Sequence, residues 1–101
     1  LEGMALQYGN IGDVLYKKGD FDGAQIMYKL SLSTEEKIGN LDGMATQYEN
    51  LGMLFETIGR IDESIKMYEQ LLSIATEIRD IQFIKSLKRK IKKLTSKRNK
   101  K

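Results

Sequence analysis

The chain of 101 residues contains no cysteine and no histidine. It therefore cannot form disulfides, zinc sites that use cysteine or histidine, thiol nucleophiles or imidazole bases. No apolar run approaches the ~20 residues of a membrane-spanning helix, and the first residues lack the basic and then apolar pattern of a signal peptide. We therefore expect a cytoplasmic protein without a membrane span, which is not an enzyme and binds no metal or cofactor.

Acidic residues are absent from the C-terminal part of the sequence. Residues 1–83 carry 7 basic and 14 acidic groups, whereas residues 84–101 carry 10 basic groups and no acidic one, so the net charge of +3 hides a strong asymmetry. Hydrophobic residues make up 41% and charged residues 31% of the chain, which is typical of one globular domain and not of a disordered segment. We expect the chain to fold.

The segment LEGMALQY at residues 1–8 returns as LDGMATQY at residues 41–48. Aligned without a gap, residues 1–40 and 41–80 share fifteen identities. A fixed period of this size indicates a stacked-repeat architecture. We expect the two copies to have equivalent folds, with Tyr8 and Tyr48 in the same surroundings.

Apolar residues inside each copy recur at the three- and four-residue steps of a helix, and a glycine-containing turn separates the two runs. This pattern predicts helices near residues 2–18, 21–38, 42–58, 61–79 and 81–95, with Asp20 as a helix cap. Gly12 and Gly52 fall inside predicted helices, where glycine costs about 1 kcal/mol relative to alanine. Because both copies keep this glycine, we expect a partner helix to approach closely there.

The stretch YGNIGDVLYKKGDFDGAQIMYKLSL and its copy YENLGMLFETIGRIDESIKMYEQLL resemble the tetratricopeptide repeat family. The period of forty exceeds the usual ~34 residues, and no proline closes a unit. The longer period and the Asn-Leu-Gly order at residues 50–52 look like the extended repeats of kinesin light chains and cell-polarity adaptors. The positions that carry the resemblance are Tyr8, Gly12, Gly19, Ala24 and Tyr28, with Tyr48, Gly52, Gly59, Ser64 and Tyr68 in the copy.

The resemblance implies an all-α, right-handed α-solenoid of two helix-turn-helix units, residues 1–40 and 41–80. Residues 81–95 do not repeat the pattern, because Lys92 stands where Gly12 and Gly52 stood. We expect them to form a capping helix, whose lysines face water, and residues 96–101 to form a basic disordered tail. The predicted apolar stripe of the cap consists of Ile81, Ile84, Leu87, Ile91 and Leu94.

A polar line runs along the first helix of each unit, on the side away from the apolar stripe. It consists of Leu6, Asn10, Asp13 and Lys17, and of Thr46, Asn50, Met53 and Thr57 in the copy. The flanking residues are Gly9, Tyr16, Glu49 and Glu56. First helices of a stacked array line its concave surface, so we expect a partner-binding groove here. Asn10 and Asn50 can hold the backbone of a bound peptide, or they can bond to neighbouring helices instead.

The sequence therefore predicts a non-catalytic protein–protein interaction module that binds a peptide or helix of a partner protein in its groove. One alternative is homo-oligomerisation, for example a homodimer, through exposed apolar repeat faces that include Leu1 and Met4. Another is weak binding of nucleic acid or an anionic surface by the basic C-terminal segment. No aromatic residue interleaves that segment, so we expect no specific nucleic-acid binding.

Overall fold

The computed structural model describes residues 1–100, which form five α-helices and no strand. The helices are α1 (Glu2–Lys17), α2 (Phe21–Ile38), α3 (Leu41–Thr57), α4 (Ile61–Glu77) and α5 (Ile81–Asn99). Each helix packs against the next one along the chain, and α1 also contacts α3. The predicted all-α repeat of helical hairpins is confirmed, and the ends of the first four helices lie within two residues of their predicted positions. The right-handed sense of the array stays a prediction.

The turns between helices follow from local backbone chemistry. Gly19 and Gly59 end the first helix of each hairpin with φ values of 84° and 80°, in the left-handed region that glycine adopts without steric cost. The side chains of Asp20, Asn40 and Asp80 each accept a hydrogen bond from the backbone N–H three residues later, at the start of the following helix. The predicted cap at Asp20 is confirmed.

Close helix packing explains the glycines inside α1 and α3. A Cβ atom on Gly12 would lie 2.7 Å from ring carbons of Tyr28, and one on Gly52 would lie 2.9 Å from the ring of Tyr68. Both tyrosine rings are buried in the core. Ser64 is buried one turn before Tyr68, and its hydroxyl donates to the carbonyl oxygen of Gly52 over 2.7 Å. The residues that carry the family resemblance therefore bring the two helices of each hairpin together.

The C-terminal helix is longer than predicted. Residues 96–99 form the last turn of α5, so the prediction of a disordered tail is wrong for these residues, and Lys101 lies outside the described range. The guanidinium of Arg98 lies 3.1 Å from the Asp62 carboxylate, which connects this turn to the start of α4.

The inward face of α5 also differs from the prediction in two places. Leu87 and Leu94 are buried against α4, as the predicted stripe requires. Ile81 is exposed at the first turn of the helix, so its place in the stripe is wrong. Lys90 is half-buried and reaches towards α3, whereas the sequence predicted lysines that face water.

The surroundings of the two repeated tyrosines are not the same. Tyr48 of α3 is buried, whereas its counterpart Tyr8 of α1 is partly exposed. The expectation of equal surroundings is therefore wrong. The reason is that α2 packs against α3, and no helix of residues 1–100 takes the corresponding place on α1.

No helix within residues 1–100 combines the length and the apolar character that crossing a membrane would need.

Candidate functional site

Seven of the eight predicted groove residues line two adjoining clefts between α1 and α3. The larger cleft has a volume of about 290 Å³ and the smaller one of about 160 Å³, and both include Asp13 and Asn50. We call this region the inter-repeat groove. Its predicted members are Leu6, Asn10, Asp13, Lys17, Thr46, Asn50 and Met53. The forty-residue period therefore brings together side chains that lie far apart in the sequence.

The eighth predicted residue, Thr57, takes part in a bond that joins the two repeats. The hydroxyl oxygens of Tyr16 and Thr57 lie 2.7 Å apart. Because the Thr57 hydroxyl donates to the carbonyl of Met53 over 2.9 Å, it accepts from Tyr16. Tyr16 also packs edge-on against Phe21, with 5.4 Å between ring centroids. Thr57 therefore has a structural role at one end of the groove.

The two repeated asparagines differ in their hydrogen bonds. The Asn50 amide donates to Oε1 of Gln47 over 3.3 Å. The side chain of Asn10 is exposed and forms no hydrogen bond with residues 1–100. Asn50 therefore bonds within its own helix and not to a neighbouring helix, and the bond is long enough for a ligand to replace it.

Asp13 is held in one position by the hairpin partner of α1. The Tyr28 hydroxyl donates to its carboxylate over 2.7 Å. Burial raises the pKa of Tyr28 above the ordinary value, and the neighbouring Asp13 carboxylate raises it further. Asp13 therefore carries its negative charge into the groove at a fixed point where both clefts meet.

A buried carboxylate forms part of the larger cleft, and the sequence analysis missed it. Glu35 of α2 is only 4% exposed and accepts a hydrogen bond from the Asn40 amide over 3.3 Å. The same amide donates to the carboxylate of Glu2. Burial raises the pKa of Glu35, and the charge of Glu2 raises it further. A side chain on Gly43 would occupy the space that the Glu35 carboxylate fills.

A sequence signal for Glu35 was available. The buried residues of α2 are Ala24, Tyr28, Ser31 and Glu35, at steps of four, three and four residues. A charged residue in this series indicates a buried carboxylate. The acidic residues of the larger cleft are Glu2, Asp13, Glu35 and Asp42, and no group of three or more carboxylates within residues 1–100 could hold a metal ion.

The polar line of α1 and α3 continues on α5 with basic side chains. One further step of forty residues from the α3 line gives Ser86, Lys90, Lys93 and Lys97, and all four border a cleft of about 710 Å³. We call this region the basic cleft; Arg89, Lys92, Ser96 and Lys100 complete its lining. The sequence analysis treated α5 only as a cap and missed this continuation.

Lys90 connects the basic cleft to the second hairpin. Its ammonium group lies 2.8 Å from the Glu56 carboxylate and 5.8 Å from the centre of the Tyr68 ring. Burial, with the nearby charges of Glu56 and Glu49, raises the pKa of Tyr68 to about 12. Lys90 thus takes, on α5, the place that Asn50 and Asn10 have on the preceding first helices.

A comparison with protein-family models matches residues 4–77 to the model described as tetratricopeptide repeat. The chain belongs to the tetratricopeptide repeat family. The resemblance stated from the sequence is confirmed at this level. Repeats of this family generally mediate protein–protein interactions and form non-catalytic scaffolds. A search of curated proteins finds no match to the chain.

Proposed function

We propose that this tetratricopeptide repeat chain is a non-catalytic interaction module that binds a segment of a partner protein along the inter-repeat groove. The observation that carries the proposal is the convergence of three repeat-equivalent pairs of side chains, together with Lys17, on two adjoining clefts. The free amide of Asn10 supports it, because such an amide can donate to and accept from an extended peptide backbone.

The charges of the inter-repeat groove and of the basic cleft favour a ligand of mixed charge. The larger of the two clefts in the inter-repeat groove is lined by acidic residues, whereas the basic cleft along α5 is lined by lysines and an arginine. Complementary charges fix the direction of a bound segment and speed its association. We therefore propose that the partner segment places basic residues over α1 and α3 and acidic residues over α5.

The arrangement of the repeats is also part of this proposal. We propose that the units 1–40 and 41–80 stack as a right-handed superhelix capped by α5, in the manner of the extended repeats of kinesin light chains and cell-polarity adaptors. The forty-residue period supports this arrangement. We also propose that the chain acts in the cytoplasm.

Selection of binding peptides from a displayed random library, followed by fluorescence anisotropy, tests the groove. In the variant Asn10→Ala with Asn50→Ala, the loss of one or two amide contacts, at about 0.5–1.5 kcal/mol each, weakens binding by roughly tenfold. The matched control is Gln70→Ala, an exposed amide on α4 outside the groove, which leaves affinity unchanged. If the double variant binds as tightly as the original chain, the asparagines are not part of the site.

Two other candidate functions, self-association and polyanion binding, predict different experimental results. Self-association would make light scattering depend on protein concentration; the exposed Leu1 and Met4 favour this candidate. Binding of a polyanion by the basic cleft would weaken steeply with salt and would be lost in a chain that ends near Asp80. Binding of the selected peptide by a monomer at physiological salt favours the groove over both.

A further inference from the structure

Four apolar side chains form an exposed face on α1, which we call the α1 outer face. It consists of Leu1, Met4, Ile11 and Val14. Ile11 is 41% exposed and Val14 is 51% exposed, and Leu1 and Met4 are exposed to a similar or larger extent. Leu1, Met4 and Ile11 lie about 100–180° round the helix from the groove residues of α1, whereas Val14 lies about 40–100° from them, at the border between the two surfaces.

In the second copy, the positions equivalent to this exposed face are covered by another helix. Leu51 and Leu54, the counterparts of Ile11 and Val14, are 1% and 0% exposed. They belong to one apolar cluster with Ala24 and Tyr28 of α2. The positions that are open on α1 are therefore covered on α3 by the helix that precedes it.

The covering helices share a side-chain pattern. In α2 a small residue, an aromatic residue and a leucine follow one another at steps of four residues, as Ala24, Tyr28 and Leu32. In α4, which covers α5, the corresponding series is Ser64, Tyr68 and Leu72. Tyr68 and Leu72 lie in one apolar cluster with residues of α5, whereas the Ser64 hydroxyl bonds to Gly52 of its own hairpin. An aromatic residue and a leucine one turn apart thus cover a following first helix twice in this chain.

A carboxylate completes the pattern in α2. Glu36 follows Leu32 by one turn, and burial together with this neighbouring carboxylate raises the pKa of Tyr48. Tyr8, the counterpart of Tyr48, is partly exposed, and its hydroxyl group forms no hydrogen bond with residues 1–100. A helix that covered α1 as α2 covers α3 would bring a carboxylate to the Tyr8 hydroxyl.

We propose that the α1 outer face is a docking surface for one amphipathic helix from outside residues 1–101, packed on α1 as α2 packs on α3. The helix carries a small residue, an aromatic residue, a leucine and a carboxylate at successive four-residue steps. A second copy of the chain does not supply it, because both of its helices with the small, aromatic and leucine series already cover α3 and α5.

A peptide of residues 20–39 is a direct probe, because it contains the complete pattern. A hydrocarbon staple that replaces Ile26 and Leu30 holds it helical, since both side chains are exposed on α2 and lie away from its buried face. Titration of the ¹⁵N-labelled chain is expected to shift the amide signals of Met4, Tyr8 and Ile11. Calorimetry is expected to show a negative heat-capacity change, the marker of apolar burial.

Two sets of variants identify the surface. Ile11→Glu in the chain, and Leu32→Glu in the peptide, each weaken binding by at least about tenfold, because a charge enters an apolar contact. The matched control is Ile81→Glu, at an exposed apolar position of α5, which leaves affinity unchanged. Because Ile11 is exposed, circular dichroism of Ile11→Glu is expected to match that of the original chain.

Three results would overturn this assignment. The first is no binding of the stapled peptide at about 1 mM. The second is amide shifts at Gly12 on the inner side of α1 together with shifts on α3, which would mean that the peptide replaces α2 in its own hairpin. The third is a concentration-dependent dimer that Ile11→Glu abolishes, since a second copy would then be the occupant. None of these results affects the peptide selected for the inter-repeat groove.

Discussion

Replacing Gly52 with alanine tests the close approach of α3 and α4, on which the whole repeat depends. The new Cβ atom would lie 2.9 Å from carbons of the Tyr68 ring, whereas ordinary contacts begin at 3.4 Å. The ring cannot move freely, because it is buried and Lys90 lies over it. Either the ring or α3 must therefore shift by about half an ångström to reach the ordinary contact distance.

The size of the effect follows from two opposing contributions. Overpacking a filled core costs about 1–3 kcal/mol. Alanine inside a helix gains up to about 1 kcal/mol over glycine. We expect a net loss of about 1 kcal/mol in the free energy of unfolding, which lowers the melting temperature by roughly 4–8 °C in a domain of this size.

Gly3→Ala is the matched control, because nothing lies within 4 Å of the position its Cβ would take. Thermal unfolding followed by circular dichroism is expected to show stabilisation for Gly3→Ala and destabilisation for Gly52→Ala. In a Tyr68→Leu background, which removes the ring, the cost of Gly52→Ala is expected to shrink or change sign. Equal stabilisation by both glycine substitutions in the original chain would refute the packing argument.

Two further predictions concern the core and the buried carboxylate. Leu54→Ala removes a fully buried side chain and is expected to lower the free energy of unfolding, measured in urea, by about 2–5 kcal/mol. Its repeat counterpart Val14→Ala, at a half-exposed position, is expected to change it by less than about 0.5 kcal/mol. Similar losses for both variants would contradict the open α1 outer face. Glu35→Gln is expected to stabilise the chain at pH 7, because the folded pKa of Glu35 lies above its ordinary value of 4.5 and the penalty for ionising it grows as pH rises through that pKa. At about pH 3, where the carboxyl group is protonated, the gain should vanish, and a gain of the same size at both pH values would exclude ionisation as its cause.

The hairpins could be predicted from the sequence because several local signals agree. Apolar spacing, turn glycines and the cap at Asp20 all favour the same helix boundaries, and the forty-residue repeat excludes a chance match. The repeat also placed Asn10 and Asn50 on one side of neighbouring helices. Which hydrogen bonds these amides form could not be predicted. A glutamine and an asparagine three residues apart occur in both copies, but only Gln47 and Asn50 form a hydrogen bond. Gln47 is buried whereas its counterpart Gln7 is exposed, and the repeat does not encode this difference.

Other features depended on tertiary packing that the repeat does not encode. Lys90 pairs with Glu56 because α5 takes the place of a further first helix, although its glycine is missing. Glu35 is buried because Gly43 leaves room for its carboxylate, a contact between two helices. Tyr8 and Tyr48 differ because stacking is asymmetric: α3 is covered on the side where α1 is open. Sequence equivalence therefore predicted fold more reliably than environment.

An ¹⁵N NMR titration with the peptide selected on this chain tests the central claim of groove binding most directly. Groove binding predicts that the largest shifts occur at the groove residues of α1 and α3, above all at Asn10 and Asn50, and that the α1 outer face is unaffected. Saturable binding with the largest shifts elsewhere, for example on the exposed side of α2 at Ile26 and Leu30, would contradict groove binding.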